Sequence, residues 1–233
     1  MSDRMQPQFK AIADHALLVT FADEISEAAH AAVIALDHAI ANNPPEGMIE
    51  TVPALVNLLV SFDPILTDHI AIETHVRDCI TGLNIRDITG VQRVVKVCYE
   101  APFSPDLEAV STATGLSRDA VINAHLAGDC HVLMYGFAPG YAYLSGVTPE
   151  IQVPRKLAPV RDVPAGSVII AGPQCLVTTL MMPTGWSIIG RSPTPILTND
   201  PKHPFLFNVG DRVAFERIDT ATFDRLTGEA ANA

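Results

Sequence analysis

Two kinds of apolar patterning divide this chain near residue 100. Before it, strand-like runs alternate with helical spacing. Ala16-Leu-Leu-Val-Thr-Phe21 is a short run of strand formers, and Ile25, Ala28, Ala29, Ala32, Val33, Leu36 and Ile40 then recur at helical spacing behind the N-cap candidates Asp23 and Ser26. Asn42-Asn-Pro-Pro-Glu-Gly47 ends that helix. Strands are predicted over 48–52 and 54–62, with Pro53 between them, then a helix from Thr67 to about Leu83 and a strand over 91–99. The order β-α-β-β-α-β is the ferredoxin-like split motif. Residues 1–98 are therefore expected to form a small α+β domain, its two helices covering one face of an antiparallel sheet.

After Pro102–Pro105 the pattern shortens. Helices are predicted over 106–115, with Gly115 as C-terminal cap, and over 117–125, with Ser117 as N-cap and Asp119 at the positive dipole end. This pair reads as a helical insertion near 106–127, or a lid, in a second domain spanning 99–233. The remainder is short strands cut by turns: Val132–Tyr135, a buried run within Val163–Gly172, then Leu176–Met182, Trp186–Ile189, Pro195–Leu197 and Arg212–Phe215. Closely spaced strands of this kind predict a barrel or sandwich. The last ten or so residues, ending Gly-Glu-Ala-Ala-Asn-Ala, are expected to fray.

Composition narrows the function classes. With 48% hydrophobic and 18% charged residues, the 233-residue chain has material for a sizeable core. Most of the 18 prolines follow residue 100, which suits turn-rich β structure. A formal net charge of -11 and scattered basic residues argue against nucleic acid or an anionic membrane as partner. The cysteines at 79, 98, 130 and 175 match no zinc or redox spacing and read as buried thiols. Asp14 and His15 interrupt the only apolar N-terminal stretch, and no run approaches the ~20 residues of a spanning helix. The expected location is the cytoplasm.

One stretch concentrates candidate chemistry. From His131 to Val147 a strand breaks into a loop that sets Phe137, Tyr141 and Tyr143 among Gly136, Pro139, Gly140 and Gly146. Glycines there let backbone approach closely or take positive φ. Read structurally, the same residues are a turn with aromatics plugging a barrel end. His131 is the histidine beside this loop, a candidate base or a structural strand-start residue. Arg155, Arg161 and Arg191, in proline- and glycine-rich turns, offer bidentate carboxylate binding or, alternatively, loop bracing to carbonyls. Gln174 either orients a polar substrate or closes a turn, and Trp186 reads as core or interface rather than a stacking platform. No phosphate loop, nucleophile elbow or His-Glu-x-x-His occurs, and no metal site is evident.

Taken in order, Gly136-Phe-Ala-Pro-Gly-Tyr-Ala-Tyr-Leu144, Pro154-Arg155, Val163-Pro-Ala-Gly-Ser-Val168, Ile170-Ala-Gly-Pro-Gln174, Gly185-Trp186, Ile189-Gly-Arg-Ser-Pro193 and Asn208-Val-Gly-Asp-Arg-Val213 resemble the allophanate hydrolase subunit 1 family. That family includes the B subunit of 5-oxoprolinase, the Kip-type inhibitor of a histidine kinase, and carboxyltransferase subdomains C and D of urea carboxylase. Asp14-His-Ala-Leu-Leu-Val19, Cys98-Tyr99 and Ser104-Pro-Asp-Leu107 extend the likeness over nearly the whole chain. It implies an α+β chain with a ferredoxin-like domain followed by a cyclophilin-like β-barrel. It also implies a partner, a second barrel subunit, and ATP-dependent opening of a small amide or lactam, with 5-oxoproline giving glutamate. Alternatives within the family are biotin-dependent carboxyl transfer to urea and non-catalytic kinase inhibition, in which exposed Tyr141, Tyr143 and Trp186 would anchor an interface. On the enzymatic reading, His131, Arg155, Gln174 and Arg191 with the loop from Gly136 to Tyr143 and Trp186 form a site completed by the partner, acting through arginine and backbone N–H groups. The chain departs from the family at Pro159-Val160, where Pro-Arg is usual, at Cys175-Leu-Val-Thr-Thr179 and Pro183-Thr-Gly-Trp186, and at Tyr141, where Phe is common. Such changes in a shared pocket would alter the substrate.

Overall fold

A computed structural model describes residues 6–83 and 90–231, which fall into two units, 1–89 and 90–233. In the first, β1 (Gln8–Ile12), β2 (Ala16–Thr20), β3 (Met48–Ala54) and β4 (Asn57–Phe62) form an antiparallel sheet in the order β1-β2-β4-β3. Helices α1 (Glu27–Asn42) and α2 (His69–Thr81) pack on it. Both begin where a capping oxygen is available: Ser26 Oγ accepts from the Ala29 N–H and Asp68 Oδ1 from the Ala71 N–H, each contribution being about 1 kcal/mol. Leu17 and Val19 of β2, and Leu58, Val60 and Phe62 of β4, meet Val33, Leu36 and Ile40 of α1 in one core.

The strand expected to complete this sheet lies elsewhere. β5 (Gln92–Cys98) pairs in parallel with β13 (Arg212–Ile218) over seven residues of the second unit. The fourth strand of the first unit is instead β1, a five-residue strand, mostly exposed, that precedes the apolar run of β2. Residues 84–89, just ahead of β5, lie outside the described residues.

The second unit is a barrel. β6 (Cys130–Tyr135), β7 (Ala142–Leu144), β9 (Ser167–Ala171), β10 (Gln174–Val177) and β12 (Ser187–Arg191) join β5 and β13 in the ring β6-β13-β5-β12-β9-β10-β7, which returns to β6. Closure leaves no free sheet edge. A separate ribbon pairs β8 (Val160–Val163) with β11 (Met182–Thr184). Strand alternation supplies two cores. Val168 and Ile170 of β9 point into the barrel, and Ile169 and Ala171 point outward under the ribbon, so every residue of β9 is buried. Helices α3 (Leu107–Thr114) and α4 (Arg118–Leu126) are capped as expected by Gly115 at φ 72° and by Ser117 Oγ. Their Leu107, Val110, Val121 and Ile122 belong to the barrel's own core, so this pair is part of the packing.

Two expectations near the C-terminus change. Pro195–Leu197 is not a strand; Leu197 makes a single bridge to Phe205. The final segment is helical, α5 (Thr220–Ala231), because Asp219 Oδ1 caps its first turn through the Thr222 N–H and Phe223 is buried beneath it. Among the described residues no helix is long and apolar enough to cross a membrane.

Candidate functional site

The barrel strands sort the expected site residues into three places. Arg191 closes β12, opposite Ser167 at the start of β9. Gln174 opens β10 opposite Ala171, four residues further along β9, which is about 13 Å at strand rise. His131 lies near the start of β6, four residues from Tyr135, where the Gly136 loop begins, again about 13 Å. Its Nε2 is 3.8 Å from Asp129 Oδ1, a carboxylate that also pairs with Arg212. Arg191 and the loop thus share one end of the barrel, while His131 and Gln174 lie toward the other, on strands joined through Leu144. One site holding all four is not formed within this unit.

The aromatic residues form a row on the outer face of the barrel. Ring centroids are 5.4 Å apart for Phe137–Tyr141, 5.8 Å for Tyr141–Tyr143 and 6.0 Å for Tyr143–Trp186, at tilted or edge-to-face angles. The Arg155 guanidinium stands 5.7 Å from the Trp186 ring centroid, reaching the end of the row. Tyr141 and Trp186 are each only 5% exposed, in a core with Ile169, Leu176 and Ile188. Burial, then the neighbouring Tyr143, push the Tyr141 hydroxyl up to about 12, against a downward pull from Arg155. The non-catalytic alternative expects exposed interface anchors at Tyr141, Tyr143 and Trp186, but Tyr141 and Trp186 are buried against the β8–β11 ribbon. Phe137, 74% exposed, is the ring that projects.

The loop between β6 and β7 is tightly held. The Gly136 N–H donates to the Tyr141 carbonyl and the Tyr141 N–H to the Ala138 carbonyl. The Thr179 hydroxyl donates to the Pro139 carbonyl at 2.8 Å. Phe137 takes φ 71°, a left-handed conformation that costs a non-glycine residue energy and is concentrated at functional loops. Gly140, at φ 69°, sits so close to Leu197 that a Cβ would lie 2.7 Å from its Cδ2. The positive φ favours glycine there, and a side chain would also have to displace the Leu197 methyl.

Thr179, Leu197 and Arg191 also line a cavity of about 300 Å³ beside this loop, with Ser192, Thr194, Ile196 and Phe223. Gly166 shapes its rim, since a Cβ there would meet the Ser192 carbonyl oxygen at 2.4 Å. The Arg191 Nε–H donates to the Ala165 carbonyl at 3.2 Å, and the guanidinium carbon is 5.9 Å from the Phe223 ring centroid. Among the described residues no carboxylate pairs with Arg191. Ser192 Oγ already accepts from the Thr194 N–H, and Thr194 Oγ1 from the Lys96 N–H, so each hydroxyl keeps its own hydrogen to donate. A guanidinium fork and two hydroxyl donors over apolar walls are groups able to hydrogen-bond a small anion.

Ser192, Thr194 and Phe223 were not anticipated. Hydroxyls alternate with prolines immediately after Arg191 in Arg-Ser-Pro-Thr-Pro195, a signal available in the sequence. Nothing local marks Phe223, which reaches the cavity only because α5 folds back. Among the described residues no group of three or more His, Cys, Asp or Glu is placed to hold a metal ion. The other polar features brace the fold. Asp106 Oδ2 accepts from Lys156 Nζ at 2.5 Å and from the Ile188 N–H at 2.7 Å. The buried Asp211 takes the Val91 and Asn208 N–H groups and the Arg93 guanidinium.

Comparison with known proteins places this arrangement among relatives. The chain is 34% identical over 223 residues to the B subunit of 5-oxoprolinase from Bacillus subtilis, covering 91% of this chain and 92% of that one. It superposes on the solved structure of TTHA0988 with a TM-score of 0.79 and 30% identity, over 88% of this chain. It spans only 40% of the length of that protein. The urea amidolyase of K. lactis, at 15% identity and a TM-score of 0.78, covers the whole chain with 16% of its own length and shares the fold. Residues 7–207 match the model of the family described as carboxyltransferase domain, subdomain C and D; with a relative 34% identical across nine-tenths of its length, the chain belongs to that family, alongside the 5-oxoprolinase B subunits.

Proposed function

We propose that this protein is one subunit of a two-component, ATP-dependent lactam hydrolase of the 5-oxoprolinase type, converting 5-oxoproline to glutamate with a second barrel subunit. The observation that carries the reading is the half-buried Arg191, without a carboxylate partner among the described residues, in a cavity where the Ser192 and Thr194 hydroxyls each keep a hydrogen to donate. Arg191 with Ser192 and Thr194 holds the ring carboxylate, and Ile196, Leu197 and Phe223 take its methylene side. Groups that act on the amide come from the partner, whose docking face includes the projecting Phe137. His131 and Gln174, at the other end of the strands, serve the barrel rim, and Arg155 supports the aromatic row.

ATP is used by the complex. The cavity lies at the small end of ligand pockets, roughly 300–1,000 Å³, which suits a small acid better than a nucleoside triphosphate. With no phosphate loop in the sequence, nucleotide handling is assigned to the partner. The four free cysteines support a reducing, cytoplasmic setting.

On this proposal both units keep the folds of the family. The first unit is a ferredoxin-like sheet in permuted form: β2, α1, β3, β4 and α2 supply the split motif, and β1 takes the edge position of its last strand. The second unit is a cyclophilin-like barrel.

Co-expression with the neighbouring subunit should give ATP-dependent glutamate release from 5-oxoproline, and Arg191→Ala should lower it at least tenfold, mainly through KM. A well-formed complex without turnover sinks the substrate assignment. Unchanged kinetics in the Arg191 variant removes that residue from the site.

A further inference from the structure

The outer wall of the Arg191 cavity comes from a part of the chain beyond the family match, which ends at residue 207. Helix α5 starts at Thr220, where both its N–H and its hydroxyl donate to Glu100 Oε2, and Asp219 caps the first turn. Past that anchor, Asp224, Arg225 and Glu229 are exposed, and the helix is held down chiefly by Phe223, 6% exposed and 4.2 Å from the Phe103 ring. The same ring lines the cavity and lies beside the Arg191 guanidinium, whose Nε is tied to Ala165. The terminal amino groups are thereby left for a ligand, and the attraction between cation and ring steadies the fork.

We propose that Phe223 is a specificity-determining residue of the Arg191 site, the wall that limits which carboxylates fit. The inference rests on reading Arg191 as the carboxylate clamp. Shortening Phe223 joins the volume of its ring to the cavity, so a bulkier acid gains a place while a small one loses contact. A purely structural role for the ring would weaken all ligands together.

The test is calorimetric titration of the full chain with 5-oxo-L-proline and with 3-phenylpropanoate, for the wild type and the F223A, F223L and R191A variants. The wild type is expected to prefer 5-oxoproline by about tenfold or more, the scale on which a pocket discriminates size. F223A should tighten 3-phenylpropanoate, weaken 5-oxoproline and bring the two within about threefold, with F223L between. If F223A does not fold, F223L decides by the same shift in preference. Equal weakening of both acids, or no change in either, overturns the role of Phe223 while leaving the clamp standing, provided R191A abolishes both. Binding that survives R191A, or a wild type that binds neither acid, overturns the clamp reading and this inference with it.

Discussion

His125 should make the barrel unit acid-sensitive by an amount that follows from its surroundings. The imidazole is almost wholly buried, stacks at 4.4 Å on Phe215, and has ring nitrogens 2.7 Å from the Tyr99 hydroxyl and 3.4 Å from Cys175 Sγ. A neutral ring satisfies both contacts, one nitrogen accepting and the other donating, whereas a cation there is unsolvated. Burial lowers its pKa from 6.5 to about 3. The folded value is depressed, so the unfolded state binds the proton first, and stability is whole above pH 6.5 and lost progressively as pH falls toward 3. At 1.36 kcal/mol per unit, the loss at pH 5 is about 2 kcal/mol, and near pH 3 it approaches about 5 kcal/mol. The perturbation is His125→Gln, which keeps a donor and an acceptor but does not titrate. Urea unfolding is followed by fluorescence of Trp186, the only tryptophan and a residue of the same unit. The variant should be less stable at pH 7.5, and its deficit should shrink by about 2 kcal/mol at pH 5. Carboxylates common to both proteins, including the lowered Asp14 and Asp219, cancel in the difference. A deficit constant across that range would show that His125 is free to protonate in the folded state and refute the reasoning.

Phe137→Gly should relieve the positive φ and stabilise the barrel by about 1 kcal/mol, read from the urea midpoint, while weakening capture of the partner subunit in pull-down. Gly140→Ala should cost about 1–2 kcal/mol, because φ 69° and the contact with Leu197 oppose a side chain; an unchanged midpoint would mean the loop relaxes freely. Asp106→Ala should lose about 2–3 kcal/mol by stranding Lys156 and the Ile188 N–H, and hydrogen exchange at Ile188 should speed up accordingly.

Helix positions and caps were legible in the sequence because they are local. Ser26 and Ser117 each satisfy an N–H three residues on, and Gly115 takes the left-handed φ of 72° that ends its helix. The buried run after Gly166 was legible too, since a strand covered on both faces needs apolar residues at every position. β1 was not, being a five-residue, mostly exposed strand at the sheet edge. The allegiance of β5 was equally hidden. Its alternating Val95 and Val97 fit any sheet, and only parallel pairing with β13, more than a hundred residues later, decides which one.

By itself the sequence determined most of the helices and barrel strands, the α+β class, the family motifs and the loop from Gly136 to Tyr143. The tertiary structure decided which residues share a site. Strand register puts Arg191 beside Ser167 and sets Gln174 opposite Ala171, about 13 Å further along β9, though 174 is nearer to 167 in number than 191 is. The fold-back of α5 then brings Phe223 against Arg191. Periodicity reports which face of an element is apolar; it carries no information about which distant face will cover it, and a cavity is made of such coverings.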